Sequence, residues 1–126
     1  MALLQIAEPG LSAAPHQHKL AVGIDLGTTN SLVATVRSGV ASALMDNNGQ
    51  DMLPSIIHYG EDNQILTGCD AQKKLLSDPL NTLSSVKRLI GKSQAEVDKT
   101  HLPYQFSVHE NGIAQIITRS GVINAV

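Results

Sequence analysis

GIDLGTTNS, residues 23–31, decides how this chain is read. Residues 19–26, KLAVGIDL, read as an apolar strand that brings one carboxylate, Asp25, to its end. Residues 31–37, SLVATVR, read as a second strand. Between them stand one glycine and two hydroxyls, Gly27, Thr28 and Thr29. Gly27 has no Cβ, so its backbone can approach a ligand closely. Successive backbone N–H groups in a tight turn converge on an anion. Thr28 and Thr29 add hydroxyl donors. Asp25 repels a phosphate unless a cation lies between them, and Mg²⁺ keeps most of its waters while using few carboxylates. The combination implies a metal–polyphosphate site, with Asp25 reaching the metal through water. It is not a P-loop: no G-x-x-x-x-G-K-[ST] occurs and no helix follows the turn directly. The residues alone leave a second reading open. Asp25 is then a strand-end carboxylate satisfied by turn amides, and the threonines are ordinary strand or turn residues.

Outward from the turn, Ser38-Gly39 is a two-residue hairpin signal, and residues 40–45 form a third strand ended by Asp-Asn-Asn-Gly. The three strands make a meander. Leu32, Ala34 and Val36 face one way and Val33 and Thr35 the other, so both faces are apolar enough to expect cover on each. Residues 46–49 lack the spaced ligands of a calcium loop and read as a turn. SIIHY, residues 55–59, and ILTG, residues 65–68, are short extended pieces. Ala71, Leu75 and Leu76 have helical spacing over residues 70–76, and residues 77–82, SDPLNT, break it. Asn81 or Thr82 would cap a helix over residues 83–90, LSSVKRLI, ended by Gly91. Its apolar side is Leu83, Val86, Leu89 and Ile90, which leaves Lys87 and Arg88 off the stripe. Ser93 and Glu96 form a capping box that opens a short helix to about residue 100. Two extended runs then flank Asn111-Gly112, a hairpin signal, and another turn falls at Ser120-Gly121.

Phosphoryl transfer at such a turn needs positive charge near the transition state and a held water. Lys87 is a candidate for that charge. Spacing does not show whether it reaches Gly27, and a solvated surface lysine fits the same pattern.

Composition narrows the classes. A chain of 126 residues suits one domain or one lobe of a larger one. Its only aromatic residues are Tyr59, Tyr104 and Phe106, so the core must be aliphatic. Net charge is −2 with no basic block, which argues against nucleic acid or an anionic membrane as partner. Cys69 is the single cysteine and cannot form an internal disulfide, which fits a reducing compartment. No apolar run approaches the roughly 18 residues of a membrane span. Residues 1–18 read as a flexible tail without a secretory signal, so a soluble cytoplasmic protein is expected. His16 and His18 have no third ligand nearby and read as a solvated pair.

GIDLGTTNS resembles the first phosphate-binding motif of the seventy-kilodalton heat-shock chaperones. LPSIIHY, NTLSSVKRLIG and LPYQF…NG recur in the order that family uses, and the resemblance covers residues 19–126. The opening MALLQIAEPGLSAAPHQHK, SLVATVRSG and TLSSVKRLIGKS resemble its HscA-type branch, dedicated to iron–sulfur cluster assembly. The resemblance implies an α+β fold, part of an actin-like, ribonuclease-H-like ATPase domain whose two lobes close on Mg-ATP. Residues 1–18 would be an N-terminal extension. Residues 19–53 would be the meander with its phosphate-binding turn, an incomplete inner subdomain of lobe I, and residues 54–126 the outer subdomain. Gly27, Thr28, Thr29 and Asn30 would line the phosphates of ATP or ADP, and Asp25 would hold Mg²⁺ through water. Lys87 would place the attacking water and stabilise the γ-phosphoryl charge, so Lys87, Asp25 and Thr28 form the expected catalytic set. Arg88 would contact nucleotide or the facing lobe. Partners implied are a J-type co-chaperone and an iron–sulfur scaffold protein.

Two departures matter. Asn30 stands where some relatives carry Tyr, which preserves a backbone contact but not a side-chain role. The family's second phosphate loop, Asp-Leu-Gly-Gly-Gly-Thr, is absent from these residues. The expectation is an N-terminal part of an ATPase chaperone that supplies half of a phosphate site and does not turn ATP over alone. Competing readings are a general protein-folding chaperone of the same family and a non-enzymatic module that self-associates through the meander edge. VKRLIG argues against a sugar kinase with a related fold.

Overall fold

The computed structural model describes residues 21–125. The tail with its histidines, Lys19 and Leu20 lie outside the described residues. Strands β1 (Val22–Leu26), β2 (Asn30–Arg37) and β3 (Val40–Ala43) form the antiparallel meander. Arg37 pairs with Val40, and Ser38 and Gly39 both have positive φ, 51° and 79°. That is the backbone a two-residue primed turn requires. β3 stops two residues short of the expected end. Residues 46–49 turn as expected: Asp46 accepts from the Asn48 and Gln50 amides at 2.8 Å each. The Gln50 amide foremost, with Asn48, holds the Asp46 carboxyl below the usual aspartate range.

A fourth strand, β4 (Leu53–Pro54), joins this sheet by pairing with the start of β2, Asn30 with Pro54 and Ser31 with Leu53. One residue later β5 (Ile56–Tyr59) begins a second sheet. It lies between β6 (Ile65–Thr67) and β7 (Thr82–Ser84), in the order β6-β5-β7. β8 (Gln105–Val108), β9 (Ala114–Thr118) and β10 (Gly121–Ile123) make a third antiparallel sheet. Two short helices, α1 (Gly68–Gln72) and α2 (Gln94–Val97), connect these parts. No helix among the described residues is long and apolar enough to cross a membrane.

The buried core sits between the second and third sheets. Leu83, Leu89, Val97, Tyr104, Ala114 and Ile116 form it, with Ile57, Val86 and Phe106 packed against it. Tyr104 is buried but keeps its hydroxyl partnered. The oxygen accepts from the Ser84 amide at 2.8 Å. Its ring meets Phe106 edge-on, centroids 6.3 Å apart. A polar brace ties the sheets together. Arg119 pairs with Asp78 at 3.1 Å, and its backbone N–H donates to Asn81 Oδ1 at 2.6 Å.

Several expectations fail. Residues 83–90 are not one helix: Leu83 pairs with Ile57 in the sheet, Ser85 turns left-handed at φ 55°, and only Val86–Leu89 form a 3₁₀ turn. The pairing edge of β5 took up residues whose spacing alone suits a helix. Thr82 does not cap; its hydroxyl donates to Asp78 O at 2.7 Å and meets buried His58 Nδ1 at 2.9 Å. The helix expected over residues 70–76 is α1, which starts earlier and ends at Gln72, and Leu76 is 98% exposed. The hairpin expected at Asn111-Gly112 is present: β8 and β9 pair antiparallel around it, joined by the five-residue loop between Val108 and Ala114. Among the described residues the meander is not covered on both faces: Val22, Ile24 and Leu26 are 57%, 69% and 66% exposed, and β3 is exposed throughout. The capping box stands as expected, with the Ser93 amide donating to Glu96 Oε2 at 2.9 Å.

Candidate phosphate-binding turn

The chain reverses between β1 and β2 because Leu26 pairs with Ser31, which confines the turn to residues 27–30. That closure explains Gly27. A Cβ there would collide with the Asn30 backbone carbonyl oxygen and lie 3.3 Å from its carbon. Gly27 is required by close approach and not by left-handed backbone, since its φ is not positive.

Three carbonyls of the turn are committed to groups behind it. Leu26 O accepts from Lys87 Nζ at 2.9 Å, Gly27 O from Ser55 Oγ at 2.8 Å, and Thr29 O from the Ser55 amide at 2.8 Å. Every peptide bond here is trans, and a trans peptide points its N–H opposite to its C=O. The amides of Gly27, Thr28 and Asn30 therefore point away from Ser55 and Lys87. The Thr28 and Thr29 amides have no hydrogen-bond partner among the described residues. Asp25 is exposed, and its carboxylate has no partner among them either.

Lys87 is delivered by the 3₁₀ turn that follows β7. It crosses 61 residues of sequence to reach the turn, and one hydrogen bond to Leu26 O leaves two of its three ammonium donors available. Arg88, its neighbour, is exposed and forms no side-chain bond among the described residues. Thr28 is half-buried; Thr29 and Asn30 are exposed, and none of the three side chains is hydrogen-bonded among the described residues. Sequence reasoning missed Ser55 and Ser31, whose hydroxyls meet at 2.8 Å behind the turn. Neither carries a motif signal beyond being a serine.

A cavity of about 440 Å³ flanks the turn on the Lys87 side. Leu26, Ile56, Leu83 and Val86 make its walls mostly apolar, and Gly27, Thr28 and Lys87 line it as well. Asp25, Thr29 and Asn30 do not line it. The residues of the turn itself do fit a phosphate with a hydrated cation: partnerless amides, a glycine cradle that a Cβ would fill, and one unpaired carboxylate. Among the described residues no group of three or more His, Cys, Asp or Glu clusters as an all-protein metal cage. A lone Asp25 suits a cation that keeps its water.

Chemically, the fold sets a strand–turn–strand hairpin, with Thr28 and Thr29 amides left unpaired among the described residues, against a lysine from the 3₁₀ turn that follows β7. The model of the Hsp70 protein family matches residues 21–122, and the chain belongs to that family. It is 59% identical over its whole length to a chaperone protein HscA homolog of Photobacterium profundum, and 59% to one of Aeromonas hydrophila. To the chaperone protein HscA of Serratia proteamaculans it is 57% identical. The chain spans 21%, 20% and 21% of the length of these curated relatives.

Proposed function

We propose that this chain is the N-terminal part of an ATP-hydrolysing chaperone of iron–sulfur cluster assembly and contributes half of its Mg-ATP phosphate site. The observation that carries the reading is the Lys87–Leu26 hydrogen bond, which sets a cation against the turn from a distant part of the chain. The relatives are named chaperones. The cluster-assembly assignment rests on the branch that residues 31–39 and 82–93 resemble.

In this reading the amides of Gly27, Thr28 and Asn30, with the threonine hydroxyls, take the phosphate oxygens. Asp25 would hold the hydrated Mg²⁺ through water, and the ammonium donors of Lys87 not used on Leu26 O would be offered to the terminal phosphoryl group and the attacking water. Mg²⁺, when bound, supplies charge neutralisation across the phosphates. Residues 19–53 then belong to the inner subdomain of lobe I in an actin-like domain, and residues 54–126 to the outer one. The second phosphate loop comes from the remainder of the longer protein, as do the surfaces for a J-type co-chaperone and a scaffold protein, in the cytoplasm.

Isothermal titration of the 126-residue chain with Mg-ATP tests the half-site. Weak or absent binding is expected, and micromolar binding overturns it. In the full-length protein, Lys87→Ala should remove most hydrolysis while nucleotide still binds; an unchanged single-turnover rate removes Lys87 from the mechanism.

A second reading is favoured by one observation, the exposed apolar residues of edge strand β1. The isolated chain would pair with a copy of itself along that strand. Light scattering after size exclusion tests it, and a monomer at high micromolar concentration refutes it.

A further inference from the structure

The turn's amides can point at a ligand only if its carbonyls point elsewhere, and one residue takes two of those carbonyls. Ser55 stands alone between β4 and β5 and is half-buried. Its amide donates to Thr29 O and its hydroxyl to Gly27 O, both at 2.8 Å. A serine hydroxyl has one proton. With that proton on Gly27 O, the 2.8 Å contact to Ser31 Oγ must run the other way, so Ser31 donates and Ser55 accepts. Ser31 thereby fixes the Ser55 rotor.

We propose that Ser55 is the positioning residue of the phosphate turn: by holding the Gly27 and Thr29 carbonyls it aims the Thr28 and Asn30 amides at the phosphate. This rests on the phosphate reading above. The amide bond to Thr29 O belongs to the backbone and survives substitution. The hydroxyl bond does not, so the side chain specifically controls the Gly27–Thr28 peptide.

The same arrangement ties the amides to Lys87. Ser55 directly precedes β5, β5 pairs with β7 at Ile57 and Leu83, and Lys87 follows β7 by three residues. One sheet therefore carries both the group that aims the turn and the lysine that backs it. A shift of that sheet relative to the meander would move amides and ammonium together.

The test uses the full-length protein with Ser55→Ala and Ser55→Thr, the latter keeping the hydroxyl. Mg-ATP affinity is measured by titration, melting temperature by circular dichroism, and the Thr28 amide resonance in ¹⁵N-threonine-labelled protein without nucleotide. Ser55→Ala should bind roughly tenfold more weakly, the effect of one hydrogen bond to a re-aimed peptide. Ser55→Thr should recover most of that loss at the same melting temperature. The Thr28 resonance should move in Ser55→Ala and return in Ser55→Thr. Wild-type affinity in Ser55→Ala overturns the proposal. If the unsubstituted protein does not bind Mg-ATP, the phosphate reading fails instead. The Thr28 resonance then still decides the role of Ser55, movement with recovery supporting it and no movement refuting it. Should Ser55→Ala not fold, Ser55→Cys, whose thiol is a weak donor, is read by the same criteria.

Discussion

Gly27→Ala, set against Gly23→Ala, isolates the close approach on which the turn depends. The two glycines lie four residues apart, Gly23 within β1 and Gly27 in the turn just after it, and neither has positive φ. A methyl at Gly23 meets nothing within 4 Å. Alanine there narrows the unfolded ensemble without a steric cost, so stability should stay level or rise by about 0.4–1 kcal/mol. A methyl at Gly27 meets the Asn30 carbonyl, with its carbon at 3.3 Å and nitrogen at 3.8 Å. These are backbone atoms, so no rotamer change relieves the overlap; the turn itself must open. Overpacking of this kind costs about 1–3 kcal/mol. Opening the turn also draws Gly27 O off the Ser55 hydroxyl at 2.8 Å, which adds about 1 kcal/mol. The expected loss is therefore about 2–4 kcal/mol, a large part of the stability of a small domain. Urea unfolding measures both variants, and equal m-values license the comparison. The reasoning fails if Gly27→Ala and Gly23→Ala unfold at midpoints corresponding to stabilities within about 0.5 kcal/mol of each other.

Two further outcomes follow from the packing and the polar brace. Ile116→Ala, at a fully buried position between the second and third sheets, should cost about 2–5 kcal/mol in the same unfolding assay. The side-chain amide of Asn81 foremost, then the Arg119 guanidinium, holds the Asp78 carboxyl below its ordinary value of 3.8 against the effect of burial. A depressed folded value stabilises above the unfolded value and is lost as pH falls through the folded one. Asp78→Asn should therefore lose stability most at neutral pH, and the gap to the unsubstituted chain should close below pH 3.8. A gap that does not vary with pH would show that the brace contributes no charge-dependent stability.

Local chemistry was legible and long-range partnership was not. The Ser38-Gly39 hairpin, the Ser93–Glu96 capping box and the Asp46 turn each satisfy their hydrogen bonds within a few residues, so the sequence around them suffices. Residues 83–90 were misread because Leu83 has two possible neighbours. Helical spacing offers it Val86 and Ile90, but the open edge of β5 offers it Ile57 with ladder hydrogen bonds, and the ladder won. The same tertiary choice positions Lys87. Had residues 83–90 formed one helix, the bend at Ser85 would be missing, and nothing would direct the lysine toward Leu26. The turn's glycine and hydroxyls are recognisable in one dimension, since each contributes an intrinsic property: no Cβ, a donor, a charge. Ser55 has no such signature, for its role consists only of where its amide and hydroxyl point. An anion cradle is a set of amides with a direction, and direction is supplied from outside the motif by the residues that hold the opposite ends of the same peptides.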